Sequence, residues 1–245
     1  MKRAINILVV LALVVLISQG QAAQAQKPDH ASATPPSSTP SSSTPSSSTP
    51  SSSTPSITFE RVWEDFIPQS VTITVSANGA TKYSSRTPGK NDDADEYQTE
   101  FTMSRDRCDK LFRYAREADY FQGDFTFKKH AVASTGKKTL TYVDASRHFN
   151  TSYDYSEHKA IQEITSIFMG VSNTVEHGRK LQFLRRFDKL GLEAELKAME
   201  DAAESHTLVE IQLIAPTLEI IAEDHAILNI ARQRAHRLLA KANSE

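Results

Sequence analysis

The side chains in this chain best suited to moving protons are three that lie close together in sequence: His148, Asp154 and His158, with Glu157 between the last two and His177 further on. An imidazole beside a carboxylate is the pairing that general-base hydrolysis uses, so these three are the catalytic candidates. None of the spacings puts two ligands one helical turn apart in the manner of His-x-x-x-His, so no metal site and no cofactor are expected. Read without a fold, they are solvated surface histidines. The sequence contains no Gly-x-Ser-x-Gly elbow and no glycine phosphate loop, and eight glycines leave little scope for backbone cradles. Aromatic residues offer a different chemistry. Trp63 and Phe66 stand just before Pro68, and Tyr153 and Tyr155 alternate beside the histidines. Flat rings with polar tips make Trp63, Tyr153 and Tyr155 the expected binding residues.

The other chemical clusters read as ordinary surface or core. Asp92, Asp93, Asp95 and Glu96 could offer oxygens to calcium, but they lack the spacing and turn glycine of a calcium loop. Arg179, Lys180, Arg185, Arg186 and Lys189 form a basic stretch, with Glu193, Glu195 and Glu200 close behind it. Twenty-eight basic against thirty acidic residues give a net charge of −2, so neither nucleic acid nor an anionic membrane is an expected partner. The single cysteine, Cys108, excludes an internal disulfide. Its helical spacing with Leu111, Phe112 and Ala115 makes it a small buried hydrophobe.

Two kinds of element must position these residues. Ile57 and Phe59 begin an alternating segment, and Val71, Ile73 and Val75 alternate with Ser and Thr, the period-two mark of a half-buried strand. Asn78-Gly79 then signals a hairpin into a return strand over 80–86, and Tyr97 to Met103 alternates again. This predicts a four-strand meander. Ser104 is placed to cap a helix ending near Tyr120, which covers one sheet face. Phe125 with Phe127, Leu140 with Tyr142, and Phe149 to Tyr155 predict three further strands. From Ser156 onward the period changes to three and four, predicting four or five helices, with Gly178 placed for a kink and Gly191 for a left-handed stop. The expected class is α+β: an antiparallel sheet with one covering helix over 57–156, followed by a helical segment over 157–245.

Ahead of these elements stands a leader. Lys2 and Arg3 precede an uncharged apolar run from Ile7 to Ile17, too short to span a bilayer, and Ala23-Gln24-Ala25 supplies a small-residue cut site. Residues 1–25 are therefore expected to be a signal peptide, and cleavage leaves no stable membrane span. Residues 26–56 carry a repeated Thr-Pro-Ser-Ser-Ser unit without a core-forming side chain, the composition of a disordered spacer. The protein is expected outside the cytosol, periplasmic or extracellular.

Pro216 to Asp224, with Arg232, Ala235 and Leu238, resembles one HEAT-type helical hairpin, although only one copy is visible and its Asp-to-Arg gap is longer than usual. The front half resembles secreted bacterial domains of unknown function. The likeness rests on Ile57, Phe59 and Arg61, then Pro68, the Asn78-Gly79 hairpin, and Ala118-Asp119-Tyr120-Phe121, without the Cys-x-x-Cys that family often carries. It implies a fold and no chemistry. The leading expectation is a non-enzymatic binding or structural domain whose partner is another exported protein or a cell-envelope component. The alternative is a small hydrolase or metal-dependent enzyme working through His148, Asp154 and His158.

Overall fold

The period-two segments pair as alternation requires, and all of them join one sheet. The computed structural model describes residues 54–88, 95–129 and 133–243, all within one compact unit. The leader, nearly all of the Thr-Pro-Ser tract, and Asp92 with Asp93 lie outside the described residues. Strands β1 (Ser56–Val62), β2 (Ser70–Ser76), β3 (Ala80–Thr87) and β4 (Asp95–Thr102) form the expected meander. Strands β5 (Lys137–Val143) and β6 (His148–Tyr153) add on the far side of β1, giving the antiparallel order β4-β3-β2-β1-β5-β6. Gly79 takes the positive φ that its turn requires, 89°.

Register fixes three rows across the inner face. One row reads Phe101, Thr81, Val75, Ile57, Tyr142, Phe149, and the next Thr99, Tyr83, Ile73, Phe59, Leu140, Thr151. The third reads Tyr97, Ser85, Val71, Arg61, Lys138, Tyr153, and places two cations side by side where alternation calls for apolar residues. The outer face carries hydroxyl pairs such as Thr58 with Thr74 and Thr139 with Ser152.

Helix α1 (Arg105–Glu117) lies on the inner face through Cys108, Leu111 and Ala115. Ser104 holds its N-cap position, but its side chain does not cap; its N–H and Oγ instead donate to the Glu210 carboxylate at 3.0 and 2.5 Å. Helix α2 (Lys159–Phe187) covers the rest of the sheet, stacking Phe168 on Phe59 at 5.1 Å between centroids. At about 1.5 Å per residue this helix outruns the sheet. Its second half joins α3 (Gly191–Glu204), α4 (Ala215–Glu223) and α5 (Asn229–Ala242) around a second apolar core of Leu181, Leu196, Leu218 and Leu238. Within the α4/α5 hairpin, Pro216 occupies the first turn, Asp224 follows α4, and Arg232 Nε donates to Ala222 O at 3.0 Å.

Several sequence expectations need correction. Phe125 and Phe127 form no strand: Phe127 N–H donates to Tyr155 O, and the rings pack on His158 and Tyr155. Strand β6 stops at Tyr153, so Tyr155 is outside it. Gly178 makes no kink, because α2 runs through it unbroken, and Gly191 begins α3 rather than ending a helix. Ser56 belongs to β1 rather than to the spacer. Helix α1 ends at Glu117, and Asp119, Tyr120 and Phe121 follow with φ of 45°, 54° and 71°. Three such residues in a row are strained. The fully buried Phe121 ring and the Tyr120 ring, held between Tyr142 and Arg147, fix them in place.

Candidate functional site

The residues that looked catalytic do not meet. His148 begins β6 and Asp154 follows its last residue, so the strand's rise of about 3.3 Å per residue separates them by roughly 20 Å. His158 precedes α2 with its ring edge-on to Phe125. All three are exposed. Among the described residues, no three His, Cys, Asp or Glu side chains are grouped to hold a metal.

The aromatic candidates fare differently. Tyr153, Asp154 and Tyr155 line a hollow of about 290 Å³ together with Lys138, Gln162 and Thr165. Several of its polar groups are engaged with neighbours. Lys138 Nζ donates to Thr135 O, Thr135 Oγ1, Gly136 O and Asp154 O at 2.8 to 3.1 Å. Tyr153 OH lies 2.6 Å from Thr165 Oγ1, and burial pushes this phenol up to about 12. Trp63 stands apart, stacked on Phe66 at 4.9 Å. A side chain at Gly136, whose φ is 82°, would meet Trp63 Cβ at 2.7 Å.

Phe66 belongs to the wall of a larger cleft, about 590 Å³, at the charged end of the inner face. Arg61 of β1, the Phe66-Ile67-Pro68 connection, Thr87 and Asp95 form one side. The other side comes from α2, where Ser172, Glu176, Arg179, Lys180 and Phe183 recur at helical spacing and so share a face; Glu195 of α3 closes the end. The rim carries Phe66, Ile67 and Phe183, which are 42%, 72% and 58% exposed. Isolated apolar residues on a surface are common, but three on one rim form a patch.

The ionic groups of this cleft pair off, with one exception. Tyr83 OH and Ser85 Oγ donate to Glu176 Oε1 at 2.7 and 2.6 Å, and Arg179 lies 3.7 Å from Glu176 Oε2. Burial, reinforced by the Glu176 charge, pushes the Tyr83 phenol far up, so it stays a neutral donor. Arg179 also pairs with Asp95, which is thus engaged by protein rather than free for calcium. His177 Nδ1 faces Glu195 Oε1 at 2.6 Å, and Lys180 Nζ reaches Glu195 Oε2 at 2.5 Å. Burial raises the Glu195 carboxyl, but these two partners outweigh it and hold it below the ordinary glutamate range.

The exception is Arg61. It is 2% exposed, and its Nη2 donates to Pro68 O at 2.9 Å while the guanidinium lies over the Phe66 ring at 4.9 Å. Its Nε is buried without a partner, and among the described residues Arg61 forms no ion pair. Burial lowers its pKa, opposed through space by Tyr83 and Glu176, yet a guanidinium remains charged at neutral pH. The sequence did carry a signal for it, since Ile57, Phe59 and Arg61 share the inward phase of β1. Glu176 and Glu195 left no such trace, being ordinary charges on helices until the fold turned them toward the cleft, where they meet the His177 already noted among the histidines.

Cys108 is buried, its Sγ lying 3.6 Å from Ser76 O, and burial raises the thiol away from reactivity. Compared with known protein families and with curated proteins, the chain matches no family model and no curated protein at a significant level.

Proposed function

We propose that this protein is an exported binding domain on a flexible tether, with its ligand seat in the cleft between β1, β3 and α2. One observation carries the reading. The acids and the imidazole of the cleft are each engaged by a neighbour, which leaves apolar surface, shape and one idle guanidinium as its chemical offer. The leader over 1–25 and the spacer over 26–55 support export to the periplasm or beyond. They also support a partner found there, another exported protein or a cell-envelope component. Among the described residues, no helix is long and apolar enough to cross a membrane.

A hydrolase is the second reading, and the His177 to Glu195 contact of 2.6 Å favours it, because a carboxylate beside an imidazole is how a general base is oriented. It replaces His148, Asp154 and His158 as the place where such chemistry would occur. Against it, two serine hydroxyls at or beside the cleft are committed to neighbours: Ser85 to Glu176 and Ser172 to Tyr83. Titration of the exported protein with anilinonaphthalene, run beside a panel of ester, amide and glycoside substrates, separates the two. Saturable dye binding that Phe183→Asp abolishes, without turnover, is the expected result. Turnover that His177→Gln removes would overturn it.

A further inference from the structure

We infer that the cleft takes a small amphiphilic carboxylate, its anionic head on Arg61 and its apolar body along Phe66, Ile67 and Phe183. This rests on the cleft being a ligand seat, as proposed above, and goes further by naming what the seat selects.

Charge complementarity determines the head group. The wall holds three cations, Arg61, Arg179 and Lys180, and three anions, Asp95, Glu176 and Glu195. Each anion has a cation or hydroxyl partner within 4 Å, and two of the three cations have carboxylate partners. Arg61 alone has none, although it is the most buried of the cations, and its Nε donor is unsatisfied. A guanidinium that lines a cleft without a carboxylate partner is suited to a planar anion that accepts its hydrogen bonds. A cationic ligand would set a second unpaired charge against it. A dianion such as phosphate would meet the repulsion of three carboxylates in the same wall, which a monoanion feels less.

The body of the ligand follows from the rim. Beyond Arg61 the cleft opens between Phe66 and Ile67 on one side and Phe183 on the other, rings and an alkyl chain with no polar atoms. A volume of about 590 Å³ is that of a small-molecule site rather than of a protein interface. The head therefore lies deep, at the end of the sheet, and the apolar tail lies toward the mouth.

Octanoate, octan-1-ol and octylammonium share a tail and differ in the head, and calorimetry on the full chain ranks them. Trp63, the only tryptophan, stacks on Phe66 and so reports occupancy of this cleft through its emission. Octanoate is expected to bind saturably with a change in Trp63 emission, octan-1-ol about tenfold more weakly for want of one charge-assisted hydrogen bond, and octylammonium not at all. Arg61→Met is expected to bring octanoate down to the level of octan-1-ol. Phe183→Ser, exposed at the rim, is expected to weaken both alike and keeps the test open should the Arg61 variant misfold. Equal affinity for octanoate and octan-1-ol in the unaltered protein would overturn the inference while leaving the cleft a ligand seat. Failure of anilinonaphthalene as well as all three octyl compounds to bind would overturn the seat itself.

Discussion

Replacing Gly178 by alanine sets helix propensity against packing, with opposite expected signs. In an unbroken helix, Gly→Ala stabilises by about 0.8–1 kcal/mol. Yet a Cβ at Gly178 would stand 2.4 Å from Ile214 Cγ2, against an optimum of roughly 3.5–4.0 Å between carbons. Ile214 cannot simply yield. It is 6% exposed, branched at Cβ, and seated in the 3-10 turn Ile211–Ile214. A Cβ at Gly170 would likewise stand 2.9 Å from Val209 Cγ2, and between the two glycines Thr174 Oγ1 donates to Val209 O at 2.6 Å. Residues 170, 174 and 178, four apart, thus form one stripe of α2 on which residues 209–214 lie. Overpacking costs about 1–3 kcal/mol, so with the propensity gain set against it Gly178→Ala should destabilise by a net of about 0–2 kcal/mol. Urea unfolding reads this as a lower midpoint at unchanged slope. Ile214→Ala alone should cost about 2–5 kcal/mol, and the double variant less than the sum, with a coupling of about 1 kcal/mol or more. A Gly178→Ala protein that is more stable, as propensity alone requires, or a strictly additive pair, would refute the close-approach reasoning.

Glu210, 1% exposed, holds both the N–H and the Oγ of Ser104. Glu210→Ala should therefore lower stability by about 1–2 kcal/mol, read from thermal unfolding, and no change would mean that α1 needs no cap from the helical half. The Glu195 carboxyl is held low in the folded state, so its stabilisation is complete above the ordinary glutamate pKa and lost as pH falls through the depressed value. Glu195→Gln should then flatten the acid limb of stability against pH below the ordinary value, and an unaltered limb would show that His177 and Lys180 contribute nothing there. Arg61→Met removes a buried charge that has no ion pair; the unliganded protein should keep its stability or gain about 1–2 kcal/mol. A loss of roughly 3 kcal/mol or more would show that Arg61 holds the fold together instead of awaiting a ligand.

Most of the sheet was legible because its code is local. Val71, Ile73 and Val75 alternate without interruption, and Asn78-Gly79 allows only a tight turn, so strand, register and buried face follow together. Phe125 and Phe127 alternate too, but alternation describes a residue's suitability for a strand and cannot supply the neighbouring edge it must pair with. The glycines misled for a related reason. Local sequence rules speak only of what a glycine does to its own helix, whereas the chain uses Gly178 and Gly191 for what approaches from outside, Ile214 at one and the Asp188 and Leu184 side chains at the other.

The candidate cleft was not legible because density of reactive residues in sequence is not convergence in space. His148, Asp154 and His158 are near neighbours along the chain, but a strand carries the first two apart. The cleft instead draws Arg61, Asp95, Glu176 and Glu195 from four separate elements. What could have revealed it was a broken pattern. Ile57 and Phe59 lead to Arg61, Thr81 and Tyr83 to Ser85, and Leu140 back to Lys138, each placing a polar group at an inward position. The register then sets Arg61, Ser85 and Lys138 in a single row. Lys138 answers its burial with four oxygens and Ser85 with Glu176. Arg61 has one carbonyl and a ring. Local rules fail most informatively where the fold tolerates an unanswered cost, since unfavourable burial needs compensation from elsewhere. In this chain the unanswered residue is one that lines the cleft of about 590 Å³.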